Sequence, residues 1–397
     1  MTRTHTCAAL LASLGLLAAT EAGAETLPTM EEVLAQTAVA RNWIDGKLDN
    51  YHMPPVTYTG EPIVLHFTSH IPTTSATVKK VDTPGFALLE KLTQGKIKVE
   101  MRHGATVHKV SEGFSALRSG LSDFTNCFTT YDPKSFNLPH AMSLPGMFDT
   151  AEIATYVGQE LAPKYYISEF KKHGVDLGYM RATTEYVYFS KEPINRLEDL
   201  QGKKIRSSGG THAAVQAALG GVPTSVPSPQ VYTSLQRGVI DVVSLTDAIV
   251  GVFKIHELAK YRTFINLSRV NLEKCMRPAW FEALPADLRT IVSRFMPVMA
   301  MAESQITYRV AGALSIDKFK AAGMTFNDVP QEEQKRWRAK VQPIIDEYVA
   351  DMEAKGLPVR DLLADIERLN KQYSGKSANE LTMLAIEAPH EVLSAQH

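Results

Sequence analysis

Arg206 is the residue whose type and setting point most directly to chemistry with an anion. It stands near the end of the segment 203–207 in PINRLEDLQGKKIRSSGG, and two glycines follow it, Gly209 and Gly210. A guanidinium is a fixed planar fork that grips a carboxylate through two parallel hydrogen bonds. If 203–207 is a strand of an open α/β sheet, its carboxyl end faces the crevice where ligands collect. The glycines then let backbone amides approach closely at the start of the next helix. Such a site suits an organic acid. The competing reading keeps Arg206 as a strand-end charge paired on the surface.

The flanking elements carry α/β grammar. Asn195 is placed to cap a short helix, with Glu198 three residues on, and Gly202 to end it before the strand. Ser228 is a natural N-cap with Pro229 at the first helical position; Val231 and Leu235 share a face, and Gly238 stops the helix before the apolar strand 239–245. Upstream, strand 63–69, helix 83–93, strand 96–102, helix 111–119 and strand 121–128 alternate in the manner of parallel βαβ units, so two similar lobes are expected. A helix around 150–173 and a strand at 175–179 lie between them. From 263 to 281 the chain returns to the first lobe. Residues 286–322 read as mostly helical with a break or kink at Pro297. A short strand near 324–326 and a long helix over 331–355 follow. An amphipathic run at 30–44 and a charged helix from 360 to about 373 form extensions at either end, to which the sequence assigns no function.

Lys plus Arg number 42 and Asp plus Glu 43. That balance argues against a nucleic-acid footprint and gives no long-range pull on anions, so any anion selectivity must be local. Arg3, an apolar core at 7–19 too short to span a bilayer, and Ala22-Gly23-Ala24 together read as a secretory signal peptide over 1–24. Cys7 lacks the small-residue run that precedes a lipoprotein cysteine. The apolar stretch 300–313 is interrupted by Glu303, Gln305 and Arg309, so it is not read as a membrane span. In the expected oxidising compartment Cys127 and Cys275 remain, both in apolar strands, and two buried free thiols are preferred over a disulfide. His256-Glu257 lacks the second histidine of a zinc motif, and Gly375-Lys376-Ser377 lacks the upstream glycine of a phosphate loop. No Gly-x-Ser-x-Gly elbow occurs, and His103 and His108 are a weak metal signal on a predicted loop. No cofactor, metal or catalytic constellation is expected.

Several segments occur in a telling order: His70-Ile71-Pro72, TQGKIKVEMRHGATV from Thr93, EGFSALRSGLSDFTN from Glu112, Phe136 and Leu144-Pro145, then PI, DLQGKKIR, ALGGVPTSVPSPQVYTSLQRGVID and FKIHELAKY. Over 63–350 this order resembles the DctP-type solute receptors of tripartite ATP-independent periplasmic (TRAP) transporters. The resemblance implies an α/β, two-lobed periplasmic binding protein fold. Each lobe would be a mostly parallel sheet flanked by helices, joined by hinge strands and a long connecting helix. Lobe I would take 61–182 and 271–311, lobe II 183–270 and 312–358, with extensions at 25–60 and 359–397. It implies a periplasmic receptor that captures a small organic acid between the lobes and delivers it to small and large integral membrane subunits. A ligand-sensing module for a membrane signalling protein, or a periplasmic enzyme on the same scaffold, are the alternatives.

The resemblance also makes Arg206 the main carboxylate anchor, with Ser207 beside it. Many members carry a second arginine where this chain has Glu185 and Tyr186. Glu185 could pair a substrate amine and Tyr186 could stack or donate a hydrogen bond; alternatively Glu185 faces solvent and Arg181 swings in. The usual polar residues after the Asp of VID are replaced by 242–245, which leaves Thr246 and Asp247, the latter also a candidate helix cap. His70, Phe128 and Tyr131 follow strand ends of the first lobe and could close over the ligand.

Overall fold

The structure, a computed structural model, describes residues 27–397; the signal peptide read over 1–24 lies outside the described residues. The described chain folds into two sheets flanked by helices. The first sheet has the order β2 (Ile97–Arg102), β1 (Ile63–Thr68), β3 (Phe124–Asn126), β10 (Asn271–Met276), β4 (Asp176–Ala182). The second has the order β11 (Thr325–Asp328), β9 (Tyr261–Phe264), β5 (Val187–Ser190), β8 (Val242–Leu245), β6 (Lys204–Ser207), β7 (Val222–Ser225). Around β1 and around β6 the pairing is parallel, as alternating strands and helices require. The antiparallel strands are β5 and β10, each the first strand after the chain crosses from the other lobe.

Two of the three crossings run side by side. Thr183 N–H donates to Val270 O at 3.0 Å, and Tyr186 N–H to Ser268 O at 2.8 Å. The third is a long helical run. Helix Ala286–Glu303 packs on β4, while helix Ala311–Ala321 packs on helix Asp247–Val252 of the second lobe. The chain does not break at Pro297: the helix continues through it, and a π-helical stretch follows at Ser304–Val310. Wide turns of this kind commonly mark functional positions. The helix expected over 331–355 is divided into Gln331–Val341 and Pro343–Ala354, the proline opening the second piece.

Two expected caps are also reassigned. Asp199, not Asn195, closes the turn at Leu197–Leu200, accepting from the amides of Asn195 and Arg196 at 2.8 and 3.1 Å. Ser228 opens a 3-10 turn without capping it, and its hydroxyl is turned toward Arg206.

Both extensions pack on the first lobe. Trp43 stacks near Phe295 with ring centroids 5.1 Å apart, and Asn379 bridges to Val39 N–H and Ala35 O. The edge of β4 would otherwise offer unpaired backbone groups, a template for aggregation. Side chains close it: Gln396 exchanges hydrogen bonds with both backbone groups of Leu177, Gln159 donates to Met180 O, and Thr155 accepts from Ala182 N–H.

Cys127 and Cys275 form a disulfide, with Cα atoms 5.7 Å apart, which corrects the expectation of two free thiols. The reason is register: β10 returns antiparallel beside β3, setting Cys275 opposite Thr125 and Cys127 just past the strand end. No local pattern announces a pairing 148 residues apart. Closing so long a loop removes about 5 kcal/mol of unfolded-chain entropy in the simplest account. Under denaturation without reductant, thiol titration of chain lacking residues 1–24 should find no free sulfhydryl. Reductant, or Cys127→Ser with Cys275→Ser, should lower the melting temperature by several degrees; an unchanged melting temperature would count against the bridge.

Candidate functional site

Arg206 lies on β6 at the carboxyl end expected of an anion anchor, but it is only 1% exposed, not a surface charge. Its Nε donates to Val226 O at 2.9 Å, one terminal nitrogen to Ser244 O at 3.2 Å, and the other to Ser228 Oγ at 3.4 Å. These neutral acceptors orient the fork without neutralising it. Among the described residues no carboxylate comes within ion-pair distance of it. Burying an isolated cation costs several kcal/mol, so the arrangement is suited to an anion that arrives from outside. The Tyr186 hydroxyl sits beside Arg206 and Ser208. His212 packs edge-on against Tyr186 and accepts from Ser208 N–H at 3.0 Å. Burial, reinforced by Arg206, holds His212 well below the usual histidine range and therefore neutral.

A cleft lined by residues of both lobes separates Arg206 from the first lobe. The opposite wall carries four buried charges, Asp82, Arg181, Lys274 and Glu303, each between 1 and 4% exposed. Arg181 meets Glu303 at 3.0 Å, and Lys274 lies 3.2 Å from Glu303 and 3.6 Å from Asp82. Burial opposes each charge, yet Glu303 keeps the Arg181 guanidinium above its ordinary value, and Arg181 with Lys274 keeps the Glu303 carboxyl below the usual range. Asp82 is the exception: burial outweighs the pull of Lys274 and lifts its carboxyl to about 6. His70 is pushed down to about 3 by burial and then by Arg181 and Lys274, so its ring is neutral; Nδ1 accepts from Asn126 Nδ2 at 3.3 Å. Phe128 lies edge-on to His70, and Arg181 lies over its ring.

Of the residues named from sequence, Arg206, Tyr186, Thr246, His70, Phe128 and Tyr131 line this one cleft. Three do not. The Glu185 carboxylate is ion-paired with Arg269 outside the lining. Asp247 is held by Arg262 through hydrogen bonds of 2.7 and 2.8 Å, and the helix cap is Thr246, whose side chain accepts from Ile249 N–H. Ser207 is buried one position before the lining Ser208. Arg181, weighed above only as a substitute for Glu185, is a full member of the wall. Lys274, Glu303 and Asp82 were missed. The signal for two of them was charge inside apolar context: Lys274 in NLEKCM, a strand buried at every position, and Glu303 ending the apolar run VMAMAE. Buried charges of this kind are rare unless paired.

The two lobes touch at Gly209. Its φ of +91° suits glycine, and a Cβ there would stand 2.3 Å from Thr130 O on the opposite lobe. Gly209→Ala should therefore hold the lobes apart, read as an increased radius of gyration by small-angle scattering. An unchanged radius would show that the contact does not limit closure. Glu185→Gln should lower the melting temperature by a few degrees through loss of the Arg269 pair while leaving ligand-induced stabilisation intact. Selective weakening of amine-bearing ligands would instead return Glu185 to the cleft.

Residues 69–351 match the family model described as bacterial extracellular solute-binding protein, family 7 (DctP). A C4-dicarboxylate-binding periplasmic protein of Rhodobacter capsulatus is 26% identical over 296 residues, 72% of this chain and 86% of that one. Among solved structures, a TRAP solute-binding protein of Rhodoferax ferrireducens with copurified benzoate superposes with a TM-score of 0.75 at 21% identity, covering 79% of this chain and 98% of the other. One from Bordetella bronchiseptica with bound mandelate gives 0.72 at 24% identity, covering 79% and 100%. By the family match over most of its length, and in agreement with the two-lobed α/β architecture, this chain belongs to the DctP family of bacterial extracellular solute-binding proteins.

Proposed function

We propose that this protein is a periplasmic receptor of a TRAP transporter that holds the carboxylate of a small organic acid on Arg206 and hands it to membrane subunits. The observation that carries the reading is a buried guanidinium, oriented by three neutral acceptors and matched by no carboxylate of the described residues, at the cleft between two lobes. The solute's carboxylate completes Arg206. Tyr186, Phe128, Tyr131 and His70 give the rest of the molecule an aromatic surround. Thr130 Oγ1, Asn126 Oδ1 and Thr307 Oγ1, buried polar atoms of the lining without a partner among the described residues, offer hydrogen bonds to a polar substituent.

Lobe I, 61–182 with 271–311, and lobe II, 183–270 with 312–358, rock about the paired crossing at Thr183 and Tyr186 and the π-helical stretch. Closure buries the solute, and docking on the small and large membrane subunits opens the cleft again. Binding and release suffice for this role; no bond of the solute need change. A signal peptide over 1–24 would direct the chain to the periplasm. Micromolar affinity corresponds to about 8 kcal/mol. One desolvated charge pair with a few hydrogen bonds supplies much of that after the ordering cost of closure.

A thermal-shift screen of keto, hydroxy, aromatic and amino acids tests the reading. At least one carboxylate should raise the melting temperature. Arg206→Ala should weaken that acid by about a hundredfold, roughly 3 kcal/mol, with Arg206→Lys intermediate because it keeps the charge and loses the fork. Full stabilisation retained in Arg206→Ala would remove the anchor.

A further inference from the structure

The charges lining the cleft match one another with a single remainder. Arg181 and Lys274 are balanced by Glu303 and Asp82 in the network described above, so the first-lobe wall is neutral as a group. His70 adds nothing, being held neutral. Among the described residues, Arg206, on the other wall, is the one charged lining residue left over. We propose that Asp82 is a specificity-determining residue that restricts this cleft to solutes with one negative charge. The proposal rests on the carboxylate reading of Arg206 and adds to it the charge class of the solute.

Two features single out Asp82 within the network. Glu303 is tied in structurally, accepting a 2.5 Å hydrogen bond from the Tyr179 hydroxyl besides its contacts with Arg181 and Lys274. Among the described residues Asp82 Oδ1 has no hydrogen-bond partner, and the nearest cation, Lys274 Nζ, stands off at 3.6 Å. What Asp82 gives the wall is therefore mainly its charge. A dianion with one carboxylate on Arg206 would bring the other against cations already matched and against two buried carboxylates, a repulsion that low dielectric magnifies. Neutralising Asp82 leaves Arg181 and Lys274 with one carboxylate between them. The cleft then carries a positive charge on each wall, as a dicarboxylate requires.

The groups facing Asp82 are Lys274 from β10, Glu303 from the long helix, Arg181 and Tyr179 from β4, and His103 with Nδ1 at 3.8 Å, which burial and Lys274 hold low. Glu273 is next to Lys274 on β10 but on the other face of the strand, where it accepts from Thr129 N–H and Oγ1; burial lifts its carboxyl to about 7.

Isosteric pairs isolate charge from shape: succinamate against succinate, and 3-carbamoylbenzoate against benzene-1,3-dicarboxylate, titrated calorimetrically at about pH 7.5. The wild-type protein should bind the monoanion of a pair at least about tenfold more tightly, and Asp82→Asn should cut that ratio by about tenfold or more. A wild-type preference for the dianions, or a ratio that Asp82→Asn leaves unchanged, overturns the proposal alone. Failure of every acid to bind, or binding indifferent to Arg206→Ala, overturns the anchor and this proposal together. If Asp82→Asn does not fold, the wild-type ratio for the aromatic pair at about pH 5.5 decides, since that dianion keeps both charges there. The ratio should fall as Asp82 takes up a proton, and should still fall in Glu273→Gln. A ratio constant with pH, or a fall abolished by Glu273→Gln, overturns the assignment.

Discussion

The cleft is built on a buried ion network joining β4, β10, the end of the long helix and the helix start at Asp82. Arg181, Lys274, Glu303 and Asp82 lie within 4 Å of one another in a chain of contacts almost sealed from water. Charges so placed are tolerated only in company, and removing one member leaves its partner stranded. The network therefore fixes where the returning strand β10 and helix Ala286–Glu303 sit relative to β4. The disulfide between Cys127 and Cys275 secures the same returning strand on its other side.

Against this neutral wall stands a cation that no carboxylate of the described residues compensates. Arg206 is held by backbone carbonyls and a hydroxyl, which satisfy geometry and leave the charge in place. One wall thus supplies a closed electrostatic circuit and the other an open one, and the difference defines what completes the site. The neighbouring histidines follow the same logic. Both His70 and His212 are kept neutral by burial next to guanidinium groups, so they act as hydrogen-bonding groups without changing the charge of the cleft.

Much of the scaffold was legible because it is written locally. The glycine stops and apolar runs around Arg206 placed β6 and β8 within a few residues, and strands near 63–68 and 97–102 appear where the sequence pattern placed them. Where reading failed, a nonlocal partner decided. Ser228 has the chemistry of a cap, but Arg206 competes for its hydroxyl. Glu185 occupies a position that could face a ligand, but Arg269, from the return crossing, claims it. Pro297 sits inside an unbroken helix, whereas a stretch with no proline widens into a π-turn against the cleft.

The sequence by itself determined the two-lobed α/β class, the family and the identity of Arg206 as the residue to watch, because strand ends, turn chemistry and ordered motifs are properties of short segments. Only the tertiary structure decided that Cys127 meets Cys275, that Asp247 and Glu185 are turned to other partners, and that Arg181, Lys274, Glu303 and Asp82 form one neutral wall. Those outcomes depend on strand register and on which charges are buried together. The energy of a charge is set by its neighbours in space, which a linear pattern does not specify.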